Sequence, residues 1–226
     1  MTGTMEHIKN SFQFSLAGVP LCALGTGALW WPDQRLLCVS DLHLGKAERL
    51  ARRGGPVLPP YETRDTLDRL SQDITKTDAA TVVCLGDSFD DLASAQSLSD
   101  TARMQLTGLQ AGRRWIWIQG NHDPGPVELG GAHLQDLKLA PLVFRHIADP
   151  VAQGEVSGHY HPKAKLRGTA RPAFLVDTAR VVLPAYGTYT GGLRCTDAPL
   201  VQLMQEPALA ILTGSSPLPI PMPRRP

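Results

Sequence analysis

Residues 35–43 read RLLCVSDLH, a continuous apolar run of strand length that leads into the polar residues Asp41 and His43. Such a run predicts a buried strand. Open α/β sheets bind their ligands just outside the carboxyl ends of their strands. Asp41 and His43 are therefore expected at the functional edge of a sheet.

The same arrangement occurs twice more along the chain. The apolar residues 81–85 precede Asp87, and residues 115–118 precede the sequence GNHD at 120–123. Three strand–helix units thus bring polar residues to one edge of the predicted sheet. The helices are predicted at 46–53, 62–75 and 97–110.

Short apolar stretches with Gly and Pro turns make up the remainder. They predict a β-meander within 12–39 and a second sheet, facing the first, within 127–212. We expect one domain over 12–213, a flexible N-terminus over 1–11 and a flexible proline-rich tail over 214–226. A ligand motif for a proline-recognising domain is the alternative for the tail.

The composition is that of a globular protein. Hydrophobic residues make up 42% of the 226 positions, and 22 Lys plus Arg against 21 Asp plus Glu leave a net charge of +1. Such a charge gives no general attraction to nucleic acid, so an anionic substrate must be held locally. The first ten residues lack the apolar segment of a signal peptide or anchor, which predicts a cytoplasmic protein without membrane contact. Buried thiols are expected at Cys22, Cys38, Cys84 and Cys195 because paired spacing is absent.

Histidines concentrate near the predicted strand ends. Divalent cations bind oxygen and imidazole ligands, and Asp41, Asp87 and Asn121 would add the oxygens. Asp41 and His43 are two residues apart, so an extended backbone would project both to one side, and the same spacing recurs near residue 160. A single buried histidine more often belongs to the core, but the whole set predicts a metal centre. The histidines concerned are His43, His122, His146, His159 and His161.

These motifs resemble the signature of the calcineurin-like metallophosphoesterases. That signature is Asp-x-His, Gly-Asp-x-x-Asp, Gly-Asn-His-Asp/Glu, an isolated His and Gly-His-x-His. The chain has the five parts in this order, at 41–43, 86–90, 120–123, His146 and 158–161. The resemblance implies an α/β fold, a four-layer αββα sandwich of two facing mixed sheets flanked by helices. It also implies a hydrolase that acts on phosphoric esters.

The resemblance further implies two divalent ions, with Mn²⁺ preferred and Fe, Zn, Ni or Co as alternatives. Asp90 and Asp123 would orient ligands by hydrogen bonds. The isolated His146 rests on the least specific motif. One ion would be held by Asp41, His43, Asp87 and His161, and the other by Asp87, Asn121, His146 and His159, with Asp87 as the bridge. The predicted catalytic group is Asp87, Asn121 and His122.

Three further segments resemble a bacterial branch of that family, the ligase-associated DNA-damage-response endonucleases or phosphodiesterases. They read SDLHLGK at 40–46, SGHYHP at 157–162 and LPAYGTYTGG at 183–192. This branch implies DNA as the substrate, and a DNA ligase, a helicase and an exonuclease of a repair system as partners. The sequence does not indicate an oligomeric state.

Two ions sharing a water would generate a bridging hydroxide that attacks phosphorus in line. We predict that His122 points away from the metals toward the leaving oxygen, where it donates a proton or stabilises the developing charge. Tyr186 and Tyr189 are predicted to stack on bases, with a structural turn as the alternative. One face of the first predicted helix is expected to contact substrate phosphates, and the alternative is a solvated helix surface. The residues on this face are Lys46, Arg49, Arg52 and Arg53.

The sequence leaves two rival functions open. A small-molecule phosphoesterase acting on cyclic nucleotides or nucleotides, or a phosphoprotein phosphatase, would use the same metal chemistry, and the near-neutral charge mildly favours it. A metal-stabilised scaffold for repair partners is the rival of a different class. The complete ligand set argues against the scaffold.

Overall fold

The first of two β-sheets begins as the predicted meander and continues as a parallel sheet. The computed structural model describes residues 8–52, 54–55, 59 and 61–225. Strands β1 to β4 pair antiparallel, and β4 to β7 pair parallel in sequence order. The strands are β1 (Ser11–Leu16), β2 (Val19–Leu24), β3 (Leu29–Trp31), β4 (Leu36–Val39), β5 (Thr81–Leu85), β6 (Arg114–Ile118) and β7 (Ala132–Leu134).

The second sheet contains the remaining strands in the order β15-β14-β12-β13-β10-β9-β8, and β11 pairs with β12. Its centre is parallel, from β9 through β10 to β13, and its flanks are antiparallel. The strands are β8 (Leu137–Leu139), β9 (Leu142–Phe144), β10 (Glu155–Ser157), β11 (Lys163–Leu166), β12 (Thr169–Val176), β13 (Arg180–Val182), β14 (Leu209–Leu212) and β15 (Leu218–Pro221).

The helices lie outside the sheets. In the long helix α2, Leu67, Leu70 and Ile74 recur at helical spacing and are buried against the first sheet. The predictions of helices near 46–53, 62–75 and 97–110 are confirmed with shifted ends, whereas the short α3 and α5 were not predicted. The helices are α1 (Lys46–Arg52), α2 (Glu62–Thr77), α3 (Leu92–Gln96), α4 (Asp100–Gln110) and α5 (Ala198–Leu203).

Hydrophobic packing creates four layers. Between the sheets, Cys38 and Ile116 of the first pack in one cluster with Phe174 and Val181 of the second. The other face of the first sheet packs on α2 and α4, and the other face of the second sheet packs on α5. The predicted αββα sandwich of two mixed sheets is confirmed.

The chain from Leu218 to Met222 corrects the prediction of a flexible tail over 214–226. β15 pairs with β14 along its whole length, and Met222 is buried. Pro219 and Pro221 are compatible with this position because an edge strand does not need every backbone N–H for pairing. The predicted flexible N-terminus, 1–11, lies mostly outside the described residues, and β1 begins within it at Ser11.

The four cysteines are buried and free, as predicted. Among the described residues, no helix combines the length and the apolar character that a membrane crossing requires.

Candidate metal centre

The predicted ligands follow strands of both sheets. Asp41 and His43 follow β4, Asp87 follows β5, and Asn121 follows β6. From the second sheet, His146 comes after β9, and His159 and His161 come after β10. The site therefore forms where the strand ends of the two sheets meet.

The backbone at five of these seven positions is left-handed and not extended. The φ angles are 53° at Asp41, 46° at His43, 45° at Asp87, 70° at His159 and 47° at His161. This corrects the prediction that an extended segment projects the two members of each Asp-x-His or His-x-His pair to one side. Left-handed residues other than glycine cost about 1 kcal/mol or more each, and such strain concentrates at functional sites.

Two glycines of the motifs allow close approach of backbone segments. A Cβ at Gly86, whose φ is +77°, would overlap the imidazole of His146. A Cβ at Gly158 would overlap the hydroxyl oxygen of Ser40, beside Asp41. Glycine is required here because side chains from the opposite sheet occupy the space.

One group of ligand atoms consists of Asp41, His43 and His161. The Nε2 atoms of His43 and His161 lie 3.4 Å apart, and Nε2 of His161 lies 3.0 Å from Oδ1 of Asp41. Oδ1 of Asp41 is buried and accepts no hydrogen bond from the described chain. Two imidazole nitrogens facing an unpartnered carboxylate oxygen fit a divalent cation among them.

The other group consists of Asp87, His146 and His159, with Asn121 beside it. Nε2 of His146 lies 3.3 Å from Oδ2 of Asp87, 3.3 Å from Nδ1 of His159 and 3.0 Å from Oδ1 of Asn121. Nδ1 of His146 lies 2.9 Å from the carbonyl oxygen of Leu85. A hydrogen bond to that carbonyl leaves the Nε2 lone pair directed at the group. The role of Leu85 could not be predicted, because its contribution is a backbone atom.

Buried carboxylates and imidazoles at the centre shift one another's pKa. Burial alone would raise the pKa of Asp87, but the hydrogen bond and charge of His146 lower it to about 2. Burial alone would lower the pKa of His146, but Asp87 and Asp41 raise it to about 9. The site therefore stabilises positive charge at the point where ligand atoms converge.

Asp90 lies behind His43, on the side away from His161. Oδ1 of Asp90 lies 3.0 Å from Nδ1 of His43, and Oδ2 accepts a hydrogen bond from Arg49. Burial alone would raise the pKa of Asp90, but His43 and Arg49 lower it. An ionised Asp90 keeps the proton of His43 on Nδ1 and leaves Nε2 free as a ligand atom.

Asp123 fixes the loop that carries Asp87. Its Oδ1 accepts hydrogen bonds from the N–H groups of Asp87 and Gly120, and its Oδ2 accepts from Ser88 and Phe89. Burial raises the pKa of Asp123 to about 6, with the charge of Asp87 acting in the same direction and the backbone donors opposing it. Asp123 thus contacts the loop backbone and no predicted ligand side chain directly.

His122 lies at the open side of the centre with 37% of its side chain exposed. Nδ1 lies 3.0 Å from the carbonyl oxygen of Asp90, and Nε2 lies 3.9 Å from Oδ2 of Asp87. The backbone N–H of His122 donates to Oδ1 of Asp87. The ring thus has one nitrogen bound to the protein and the other directed toward the centre.

The predicted phosphate contacts on α1 are largely engaged within the protein. Arg49 pairs with Asp90, and Arg52 lies 3.2 Å from Asp91. Lys46 is half-buried at the start of α1, and Arg53 lies outside the described residues. Arg49 and Arg52 are therefore poorly placed to bind a substrate phosphate.

The prediction that Tyr186 stacks on a base is wrong. The side chain is buried, its hydroxyl donates to Asp73, and the guanidinium of Arg69 lies 4.7 Å above its ring. No face of the ring is left for a base. Tyr189 is 44% exposed, so its predicted role stays a prediction.

Comparison with known proteins agrees with this architecture. The family profile described as calcineurin-like phosphoesterase matches residues 34–192. The chain belongs to this family. It is a phosphoesterase of a family that uses divalent metals, and its predicted ligands form the groups described above.

A solved structure extends the comparison over nearly the whole chain. The crystal structure of Pseudomonas putida nuclease MPE superposes with a TM-score of 0.72 at 28% sequence identity, covering 92% of this chain and 100% of the nuclease chain. Among curated proteins, no significant sequence match was found. The profile match thus establishes the family, and the superposition supports the same fold over nearly the whole chain.

Proposed function

We propose that this phosphoesterase holds two divalent ions and hydrolyses phosphodiester bonds of DNA. The observation that carries the proposal is the proximity of the two ligand groups: the ligand atoms of each group lie within 4.8 Å of one another, and the side chains of Asp41 in one group and His146 in the other approach to 3.9 Å. The similarity to a nuclease over most of the chain supports nucleic acid as the substrate. Association with a DNA repair system is part of the proposal and rests on the segments at 40–46, 157–162 and 183–192.

The proposed ligands are those of the two groups. Asp87 would be a ligand of both ions, and its Oδ1 also accepts a hydrogen bond from the N–H of His122. Two divalent ions supply activation of a water nucleophile and neutralisation of charge on the phosphoryl oxygens. Asp41, His43 and His161 would hold one ion, and Asn121, His146 and His159 the other.

His122 is the proposed proton donor. In its protonated form, Nδ1 keeps its hydrogen bond to the carbonyl of Asp90 and Nε2 offers a proton toward the centre. Because Nε2 lies beside Asp87 and at the exposed side, a leaving oxygen can approach it from solvent.

Mn²⁺ is the proposed metal because each group combines carboxylate and imidazole, which Mn²⁺ accepts, although Fe, Zn, Ni and Co share this tolerance. Metal analysis of protein purified without added metal tests this assignment. A reproducible content near two equivalents of manganese would support it. A different metal that supports full activity would overturn the choice of manganese and leave the binuclear proposal intact.

The central experiment measures cleavage of a single-stranded oligonucleotide and of bis(p-nitrophenyl) phosphate by protein stripped with EDTA and then reloaded with Mn²⁺. We expect activity on both after reloading and none before. The Asp87→Asn variant, reloaded in the same way, is expected to cleave neither substrate. Absence of turnover with each of the divalent ions named above would overturn the proposal and favour the scaffold.

A small-molecule phosphoesterase is the second candidate, supported by the net charge of +1. Salt dependence separates the two. Several phosphate contacts make oligonucleotide cleavage fall steeply with ionic strength, whereas cleavage of a cyclic nucleotide would change little. Higher kcat/KM on cyclic nucleotides, together with a flat salt profile on DNA, would favour the second candidate.

A further inference from the structure

A strongly basic cleft lies beside the hairpin of β11 and β12, outside the metal centre. Its volume is about 530 Å³, and the C-terminal residues after β15 form part of its wall. The lining contains no acidic residue. The charged residues that line it are Lys163, Lys165, Arg167, Arg194 and Arg225.

These cations are largely free of intramolecular partners. The Lys163 ammonium donates to the carbonyl of Thr190 at 3.2 Å. Within the described part of the chain, the side chains of the other four cleft cations have no carboxylate partner, unlike those of Arg49 and Arg52 on α1. Lys165, Arg167, Arg194 and Arg225 are also exposed. In a protein of net charge +1, five unneutralised cations around one concavity form a local anion-binding surface.

The hairpin holds its cations in fixed positions. Ala164 between Lys163 and Lys165 is buried, so the two lysines project from the opposite face of β11. The pairing of Leu166 with Thr169 leaves Arg167 and Gly168 as a two-residue turn, with φ of 48° and 87°. Two positive φ angles are typical of the tight turns that match the twist of a hairpin. Arg167 is thus presented at a defined tip.

The chain segments that line the cleft are directly connected to the metal centre. Lys163 is two residues beyond the ligand candidate His161, and a Cβ at Gly192 would overlap the backbone of His161. From Gly192 the chain runs beside β11, where Leu193 donates to the carbonyl of Tyr160 and Cys195 donates to that of Lys163. At ~3.3 Å per residue, the chain from His161 to Arg167 reaches at most about 20 Å. A nucleic-acid strand of several nucleotides spans that distance.

We propose that this cleft binds the sugar–phosphate backbone of a nucleic-acid strand that extends from the metal centre. The inference rests on the proposed function and assigns the phosphate contacts to β11 and its neighbours in place of α1. Cations that contact only phosphates increase affinity without reading sequence. The cleft is therefore expected to favour long substrates over short ones and to be indifferent to base sequence.

The test compares two triple variants that remove the same charge. The cleft variant is Lys165→Ser, Arg167→Ser and Arg194→Ser. The control variant is Arg64→Ser, Arg114→Ser and Lys138→Ser, which removes exposed cations elsewhere on the surface. Binding of a fluorescein-labelled 20-nucleotide oligothymidylate is measured by anisotropy in EDTA, where cleavage cannot occur, between 50 and 300 mM KCl.

For the cleft variant we expect at least a tenfold increase in Kd at low salt. The slope of log K against log[salt] should become shallower by roughly 0.7 for each lost contact, or about 2 in all. With Mn²⁺, kcat/KM on the 20-mer should fall at least tenfold relative to kcat/KM on bis(p-nitrophenyl) phosphate. The control variant should remain within twofold of the wild type. Circular dichroism verifies that each variant is folded. Should the triple cleft variant unfold, the double variant Lys165→Ser and Arg194→Ser replaces it.

The outcomes separate this inference from the proposed function. Equal affinity and salt slope in the cleft and control variants, with a wild type that cleaves the oligonucleotide, would overturn the inference alone. That result would indicate that the cleft binds a different anionic partner, such as an acidic protein surface. A wild type that neither binds nor cleaves nucleic acid would overturn both.

Discussion

The substitution Asp90→Asn tests how the protein prepares His43 as a ligand. Asp90 is 1% exposed and lies between two groups that require an acceptor, Nδ1 of His43 at 3.0 Å and Nε of Arg49. An asparagine can turn its oxygen to only one of them. If the NH₂ faces His43, the ring keeps its proton on Nε2 and loses the lone pair that would bind metal; if it faces Arg49, two donors oppose each other.

The expected size of the effect follows from these contacts. Loss of a partner that orients a metal-binding histidine typically lowers metal affinity about 10- to 100-fold, or about 1.4 to 2.8 kcal/mol. We expect the Kd of the Mn²⁺ that Asp41, His43 and His161 would hold to increase by this factor. Because the imidazole of His43 itself is retained, excess Mn²⁺ should restore most of the turnover.

Isothermal titration of EDTA-stripped protein with Mn²⁺, paired with activity measured across a range of Mn²⁺ concentrations, provides the assay. Asp91→Asn is the matched control, since asparagine also serves well as the N-cap residue of α3 that Asp91 provides. The control should bind Mn²⁺ like the wild type. Wild-type affinity in Asp90→Asn, with thermal stability unchanged, would refute the role given to Asp90.

Three other substitutions probe separate parts of the molecule. His122→Ala should lower kcat by roughly 10²- to 10⁴-fold while bound metal, measured by mass spectrometry, stays constant. Glu155→Gln should lower the free energy of unfolding in urea by about 3 kcal/mol, because it leaves the fully buried guanidinium of Arg180, 3.1 Å from Glu155, without its counter-charge. Met222→Ala should lower the free energy of unfolding by about 2 kcal/mol, because the side chain is buried beyond β15.

Each of these has a clear contrary result. Metal lost from His122→Ala would make His122 a ligand. Unchanged stability in Glu155→Gln would mean that the carbonyl oxygens around Arg180, contributed by Asp149, Pro150 and Ala152, are sufficient to hold its charge. An unchanged free energy of unfolding in Met222→Ala would support the original prediction of a flexible tail.

The sequence predicted the centre of the fold well because the determining signals there are local. The apolar runs before Asp41, Asp87 and Asn121 are β4, β5 and β6, and their polar ends meet at one edge. The pattern in 62–75 has a single apolar stripe, and α2 covers the first sheet with it. Hydrophobic periodicity and strand ends were sufficient to identify where the ligand candidates gather.

The errors arose where tertiary contacts decide. The sequence around Tyr186 does not show that its hydroxyl donates a hydrogen bond to Asp73, which is more than a hundred residues away in the chain. The prolines of β15 suggested a tail because their edge position is known only once β14 is in place. Likewise, the two-residue spacing suggested extended backbone, and only the structure shows left-handed φ angles at Asp41 and His161. The cations of the β11 cleft escaped notice for the same reason, since they come from three separate segments of the chain.

The division of the proposed ligands between the two sheets has a consequence for synthesis on the ribosome. The first sheet supplies the oxygens and one imidazole, and three further imidazoles arrive only with His146, His159 and His161. At about 5 to 20 residues per second, this delay amounts to seconds of translation during which the nascent chain lacks the last of the seven proposed ligands. The proposed site can therefore bind its cations with full affinity only after His161 has left the ribosome. Metal binding is thus expected late in the synthesis of the protein.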